Sequence, residues 1–469
     1  MSQPADLAFA PATELAAALG RAELSSETLV NVLLERIERL DPKLHAFIDV
    51  YADDARQAAG AADAARRAGH AVGPFHGIPV AVKDIVDIEG RVTTGGSKAW
   101  ADRVSPVTAT IVTRMLAAGM IVLGKTHTVE FAMGSFGTNQ HMGTPWNPWD
   151  PDTHRAPGGS SAGTGVAVAS GLAPWGIGTD TGGSVRLPSA WCGLTGLKTT
   201  KGRVSCHGIL PLSHTLDTPG PMCRSVEDTA ALYAILAGYD PKDPSTFKTS
   251  AHDPSRHPQH GVEGLTFARL TDDALVGVDA QMRVAYDAAI DVLRSQGAKV
   301  VTVKLPHSLD ELGALVGRII GAEGYGYVGH LTEDANAPID DAVRPRIGLG
   351  RDMPASVYID ALQSMQRCRA DIERALIGVD AVLTPGTHAA APIAAEIDQS
   401  GTAAGFTRPF NFIEWCALSL PCGFTDAGLP LSLQIACRGR REGLALRIGK
   451  AYQHATDWHR RRPPGLDAD

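Results

Sequence analysis

The chain has 469 residues, 44% of them apolar and 20% charged, the values of a globular protein with a large core rather than of a disordered or fibrous one. Its length exceeds the usual single-domain size, so two domains or one unusually large core are expected. Its 51 acidic and 43 basic side chains give a net charge of −8 with no basic stripe, which excludes nucleic acid as the primary ligand.

Residues Met1 to Leu19 lack a basic region followed by a continuous apolar stretch, so no secretory signal is expected. No window approaches the roughly 18 apolar residues of a membrane span. Seven cysteines form no C-x-x-C pair and leave an odd one over, as expected for reduced thiols packed in the core of a cytoplasmic protein.

In chain order, a helical preface over about residues 1–70 comes first. Ser26 precedes an apolar series at Leu29, Val30, Leu33, Leu34 and Ile37, and the Ala/Arg-rich run from Ala52 to Ala68 continues it. Pro74 and Gly77 then punctuate the chain, and the alternation of Ile78, Val80 and Val82 predicts a strand that ends at Lys83. A helix from about Val107 to Ala118 leads through Gly119 into a strand at Met120 to Leu123. Val166 to Ser170 reads as helix, Trp175 to Thr179 as strand, and the chain from Val185 as helix. Further strands are expected at Leu265 to Ala268, Val300 to Val303, Ala381 to Leu383 and Leu431 to Ile435. This rhythm fits an α/β protein built on one large mixed sheet. The polar, proline-rich stretch from Gly238 to Gly264 reads as a linker-like loop, and no internal repeat is visible.

The chemistry concentrates between Pro157 and Gly202. Pro157-Gly158-Gly159-Ser160-Ser161 and Gly178-Thr179-Asp180-Thr181-Gly182-Gly183-Ser184 are two glycine-rich loops that each deliver a serine. Glycines let the backbone approach a ligand closely, and consecutive N–H groups before a helix can converge on a developing negative charge. A serine that attacks an acyl carbon must lose its proton, and a lysine accepts it only if burial or neighbours hold the amine neutral. Lys83, at a strand end, is the candidate base, with Ser160 as a hydroxyl able to relay the proton from Ser184.

With these residues in order, the sequence resembles the amidase signature family. Pro79-Val80-Ala81-Val82-Lys83-Asp84 is similar to the family's lysine motif, Ser160 to the first serine of its Gly-Gly-Ser-Ser motif, and Ser184 to its nucleophile. Arg408-Pro409-Phe410-Asn411 and Gly428-Leu429-Pro430 extend the likeness, while Ala162 stands where the family more often has glycine. The resemblance implies one amidase domain, a large twisted mixed sheet covered by helices on both faces. Its signature core spans about residues 73–227, with a variable middle over about 238–400 and a C-terminal part of the same sheet over about 401–460. It implies a Lys83, Ser160 and Ser184 catalytic triad, a cis peptide bond before Ser160, and an oxyanion hole from the N–H groups of Thr181, Gly182, Gly183 and Ser184. Asp180 and Arg186 would brace the loop. Phe131, Met133, Gly134 and Ser135, with Tyr325 and Trp415, would line the substrate pocket.

The expected activity is hydrolysis of a small-molecule amide to the acid and ammonia or an amine, with no metal or organic cofactor, no membrane partner, and a homodimer left open. The alternative within the family is the glutamine-hydrolysing A subunit of a tRNA-dependent amidotransferase, which hands ammonia to a partner. The stretch from His207 to Pro221 looks more like stand-alone amidases. Taken singly, a strand-end lysine is usually a solvated charge and a serine in a glycine loop a turn former, so the ordered set carries the argument. Ser245-Thr246-Phe247-Lys248 matches S-x-x-K without its companion motifs, and His207 and His214 have no G-x-S-x-G elbow. His252, His257 and His260 share their loop with prolines that prevent a regular helix from presenting them together.

Overall fold

Each predicted strand has its counterpart in the computed structural model, which describes residues 4–248 and 261–466. The described strands are β1 (Phe47–Val50), β2 (Pro79–Lys83), β3 (Ile121–Thr126), β4 (Trp175–Asp180), β5 (Thr195–Lys198), β6 (Thr218–Cys223), β7 (Thr266–Leu270), β8 (Lys299–Val303), β9 (Ala381–Pro385), β10 (Cys416–Phe424) and β11 (Pro430–Cys437). They form one sheet in the order β1-β3-β2-β4-β6-β5-β10-β11-β9-β7-β8, flanked by helices. It is mixed: β2 runs parallel to both β3 and β4, β7 parallel to β8 and β9, and the remaining pairs are antiparallel.

Every residue of β2 and of β4 is buried, as expected of strands covered on both faces. Burying side chains such as Val80, Val82 and Ile177, all at 0% exposure, contributes about 1.5–3 kcal/mol each. The stretch after Gly238 does not divide the sheet, because β7 and β8 beyond it join the same sheet through β9. The histidines His252, His257 and His260 lie outside the described residues.

One local boundary shifts, and a central strand has no counterpart among the expected ones. The helix Ser26–Leu44 is capped by Ser25, whose Oγ accepts the Thr28 N–H at 3.0 Å, so Ser26 is already helical. Strand β6 carries Pro219 and Pro221 yet sits centrally, opposite Thr179 and Ile177 of β4. Two residues apart, the prolines drop their donors on the same side of the strand, which lets the other side keep its ladder. All seven cysteines are free, and six are buried. Among the described residues no helix is long and apolar enough to cross a membrane.

Candidate active site

The parallel strands β2 and β4 end side by side, and their carboxyl ends bring the candidate residues Lys83 and Asp180 to the usual place for a site in an α/β sheet. Lys83, the last residue of β2, is 0% exposed. Its Nζ donates to Ser160 Oγ at 2.8 Å and to Thr179 Oγ1 at 2.9 Å. Burial pushes the Lys83 amine down to about 7, against the opposing pull of the Asp217 and Asp180 carboxylates. A neutral amine hydrogen-bonded to a hydroxyl is therefore available close to neutral pH.

Ser160 follows a cis peptide bond from Gly159 and precedes the helix Ala162–Ala169. Its carbonyl accepts from Val129 N at 3.1 Å and Thr128 Oγ1 at 2.9 Å, which fixes the loop on the segment after β3. Ser184 lies in the turn between β4 and the helix Arg186–Trp191, and its carbonyl accepts the Ser161 N–H at 3.3 Å. That bond joins the two glycine-rich loops. Among the described residues no hydrogen bond links Ser160 Oγ to Ser184 Oγ, so the closed leg is the one from Lys83 to Ser160.

Asp180 and Arg186 are both 0% exposed at their side chains and pair at 2.9 Å. Burial works most strongly, to raise the Asp180 carboxyl, but the Arg186 guanidinium together with Lys198 and Asn411 outweighs it and holds the group well below the usual carboxylate range. Asp180 also accepts Gly183 N at 2.8 Å and Asn411 Nδ2 at 2.8 Å, and Arg186 reaches Gln434 Oε1 at 2.7 Å. The network thus fastens the turn to the Arg408-Pro409-Phe410-Asn411 segment and to β11. It corrects one expectation: the Gly183 N–H is taken by Asp180, which leaves Thr181, Gly182 and Ser184 as the N–H donors of the turn. Gly183 itself has φ 136°, and a Cβ there would lie 2.3 Å from Thr407 Oγ1, so only glycine fits.

A pocket of about 60 Å³ opens over Ser184, small beside the roughly 300–1,000 Å³ of drug-sized sites. Met133, Gly134, Ser135, Thr181 and Gly182 line it, together with Leu212, Ile320, Arg346 and Arg408. Three residues expected here lie elsewhere. Phe131 packs edge-on against Trp100 at 4.9 Å in the core, Tyr325 turns its hydroxyl to Glu333 at 2.6 Å, and Trp415, 2% exposed, donates to Glu373 at 3.3 Å. Of the motifs set aside, Ser245 donates its hydroxyl to Asp243 at 2.7 Å, and His214 sits at the surface 3.3 Å from Glu323.

Thr179, Leu212, Ile320 and the two arginines were not legible as site residues. Thr179 and Arg408 stand inside motifs already singled out, whereas Arg346 lies on a short helix, Val343–Gly348, with no local signal. Arg346 donates to backbone carbonyls of Met133 and Gln399, and neither arginine has a carboxylate partner among the described residues. Burial pushes both guanidiniums down, opposed at Arg346 by the more distant Asp340 carboxylate, and the charge of Arg346 adds to the effect at Arg408, so two cations share one small pocket.

Fold and site together define a serine-dependent amide hydrolase. The family model described as Amidase matches residues 28–446, and the chain belongs to that family. It is 37% identical over 472 residues to the A subunit of the glutamyl-tRNA(Gln) amidotransferase of Chloroflexus aggregans, covering 95% of this chain and 96% of that protein. Among solved structures it is similar to a protein of a vestigial complex that bears on the origins of an s-triazine catabolic enzyme. That match has a TM-score of 0.89 and 30% identity, over 95% of this chain and 98% of that one. The A subunit of the glutamyl-tRNA(Gln) amidotransferase of Thermotoga maritima matches with a TM-score of 0.79 and 31% identity, over 95% and 94% of the two chains.

Proposed function

We propose that this chain releases ammonia from glutamine as the A subunit of an amidotransferase, through an acyl-enzyme on Ser184. The observation that carries the substrate side is the pair Arg346 and Arg408, two cations without a carboxylate partner among the described residues, in the pocket over Ser184. Two like charges side by side in a small, partly exposed pocket repel, and the free carboxylate of an amino acid would offset that repulsion while placing the side-chain amide. The likeness to amidotransferase A subunits over nearly the full length supports the assembly side.

In this reading neutral Lys83 takes the proton of Ser160 as Ser160 takes that of Ser184, and Ser184 Oγ attacks the amide carbon. The N–H groups of Thr181, Gly182 and Ser184 receive the oxyanion. The relay returns the proton to the departing nitrogen, ammonia leaves, and a water activated by the same relay frees the acid. Asp180 and Arg186 hold the turn without touching substrate.

Ammonia release from glutamine, compared with butyramide, which lacks the carboxylate, tests the reading. Glutamine should be preferred, and Arg346→Met should raise its KM by roughly 10- to 100-fold with little change for butyramide, the worth of a charged hydrogen bond. Equal use of both amides would instead favour a stand-alone amidase of small neutral amides. Similarity to a solved structure described as an amidase, with a TM-score of 0.85 against 0.79 for the amidotransferase chain, favours that second reading. Co-purification of a second protein from the native host separates the two.

A further inference from the structure

Behind the catalytic line, Asp217 occupies a position that the proposed chemistry does not yet use. It is 7% exposed and follows the Leu210-Pro211-Leu212 turn, immediately before β6. Its Oδ1 accepts the Thr181 hydroxyl at 2.5 Å, and its Oδ2 accepts the N–H groups of Leu212 at 2.9 Å and Ser213 at 3.0 Å. Two N–H donors on one oxygen require it to be an acceptor, and three donors in all favour the ionised carboxylate.

The contact with Thr181 matters because Thr181 is the first residue of the turn that carries Gly182 and Ser184. Thr181, Asp217 and Thr179, the hydroxyl that accepts from Lys83, also line a second small cavity of about 10 Å³. Asp217 therefore touches the oxyanion turn by a hydrogen bond and shares this small cavity with Thr179, the direct partner of the Lys83 amine. The Leu212–Asp217 loop is itself clamped from outside. Glu323, on the helix Leu309–Glu333, accepts Thr215 N at 3.2 Å, the Tyr358 hydroxyl at 2.7 Å, and the hydroxyls of Ser213 and Thr215. That helix brings Ile320 to the substrate pocket, so pocket wall, loop and oxyanion turn form one continuous chain of contacts.

We infer that Asp217 is a positioning residue, which fixes the oxyanion turn through Thr181 and supplies the negative charge that faces Lys83. The inference rests on Lys83 being the base. The charged and titratable groups around the pair are few. Lys83 is faced by Asp217 and by Asp180 of β4. Asp217 is faced by Lys201, whose Nζ donates to its carbonyl at 3.1 Å, by the Cys206 thiol at 3.4 Å from the same carbonyl, and by Tyr327 of the Glu323 helix. Burial raises the Asp217 carboxyl, and Lys201 with the hydrogen bonds from Thr181, Ser213 and Leu212 opposes the rise.

The test is the rate at which a fluorophosphonate labels Ser184 in the intact chain, followed against pH, which needs no knowledge of the natural substrate. The parent should show a rate that climbs through a midpoint near 7, set by Lys83. Asp217→Asn keeps the shape and removes the charge; its midpoint should fall by about one pH unit, with a lower plateau. Thr181→Val removes the clasp and keeps the charge; its plateau should fall on the order of 10-fold with the midpoint unmoved. A merely structural Asp217 would not move the midpoint. A parent without a midpoint near 7 would sink the Lys83 assignment itself, before any variant is made. A parent midpoint that Asp217→Asn leaves in place, or a Thr181→Val plateau equal to the parent's, overturns the inference about Asp217. If thermal melts show that Asp217→Asn does not fold, the Thr181→Val plateau decides alone.

Discussion

Two lysines on neighbouring strands show how the partners of one buried residue type set what it can do: Lys125 is a brace, and Lys83 is the base of the proposed mechanism. Lys83 ends β2 and Lys125 lies near the end of β3, paired in register with Val82, and both are 0% exposed. Lys125 meets Asp84 at 3.2 Å and Thr93 Oγ1 at 2.7 Å, and Asp84 in turn accepts the Thr94 N–H at 3.0 Å. Among the described residues Lys83 meets two hydroxyls and no carboxylate within bonding distance. Burial pushes both amines down, but only at Lys125 does a contacting carboxylate push back. A buried lysine with a carboxylate partner is locked in a closed pair; one with hydroxyl partners keeps a lone pair to offer.

The contrast can be broken most sharply at Lys83. Lys83→Met should cost roughly 10²- to 10⁴-fold in amide hydrolysis, the range of a general base. The same variant should be at least as stable as the parent at pH 7. The unfolded Lys83 holds its proton up to about 10.5, while the folded amine releases it near 7, so the folded state binds fewer protons in between. Parent stability should therefore rise with pH across that window, and the Met variant should lose that part of the rise. Urea midpoints at pH 7 and pH 9 read both effects, and a variant that is less stable at each pH would contradict the account.

Lys125→Met should do the reverse. It strands Asp84 without a partner, at a cost of about 3–5 kcal/mol, while the folded fraction keeps the pH dependence of the parent. A melt unchanged from the parent would show that the pair is not a brace. The smallest effect is on the pH profile: kcat/KM of the parent should climb with rising pH through about 7 as Lys83 becomes neutral, with no such limb in Lys83→Met.

Much of this was legible in the sequence because the informative residues are local. The apolar alternation before Lys83 is the pattern of a buried strand, and the two serines stand in glycine-rich loops whose motifs, in order with Lys83, resemble those of the family. What stayed hidden depends on distant partners. β6 reads Thr-Pro-Gly-Pro-Met-Cys, which looks like a turn until β4 and β5 pair with it. The commitment of the Gly183 N–H to Asp180, rather than to an oxyanion, follows from a side-chain rotation that no spacing encodes. Trp415 and Tyr325 were expected in the pocket from the family resemblance, and the core and a neighbouring glutamate claim them instead. Arg346, far along the chain on an unremarkable short helix, comes to Ser184 only through tertiary packing.

The most direct test of the central claim is to react the purified chain with a fluorophosphonate and map the adduct by peptide mass. The account predicts one adduct, on Ser184, with reaction slowed by roughly 10²-fold or more in Lys83→Met and absent in Ser184→Ala. An adduct on another serine, or equal labelling of the parent and Lys83→Met, would contradict it.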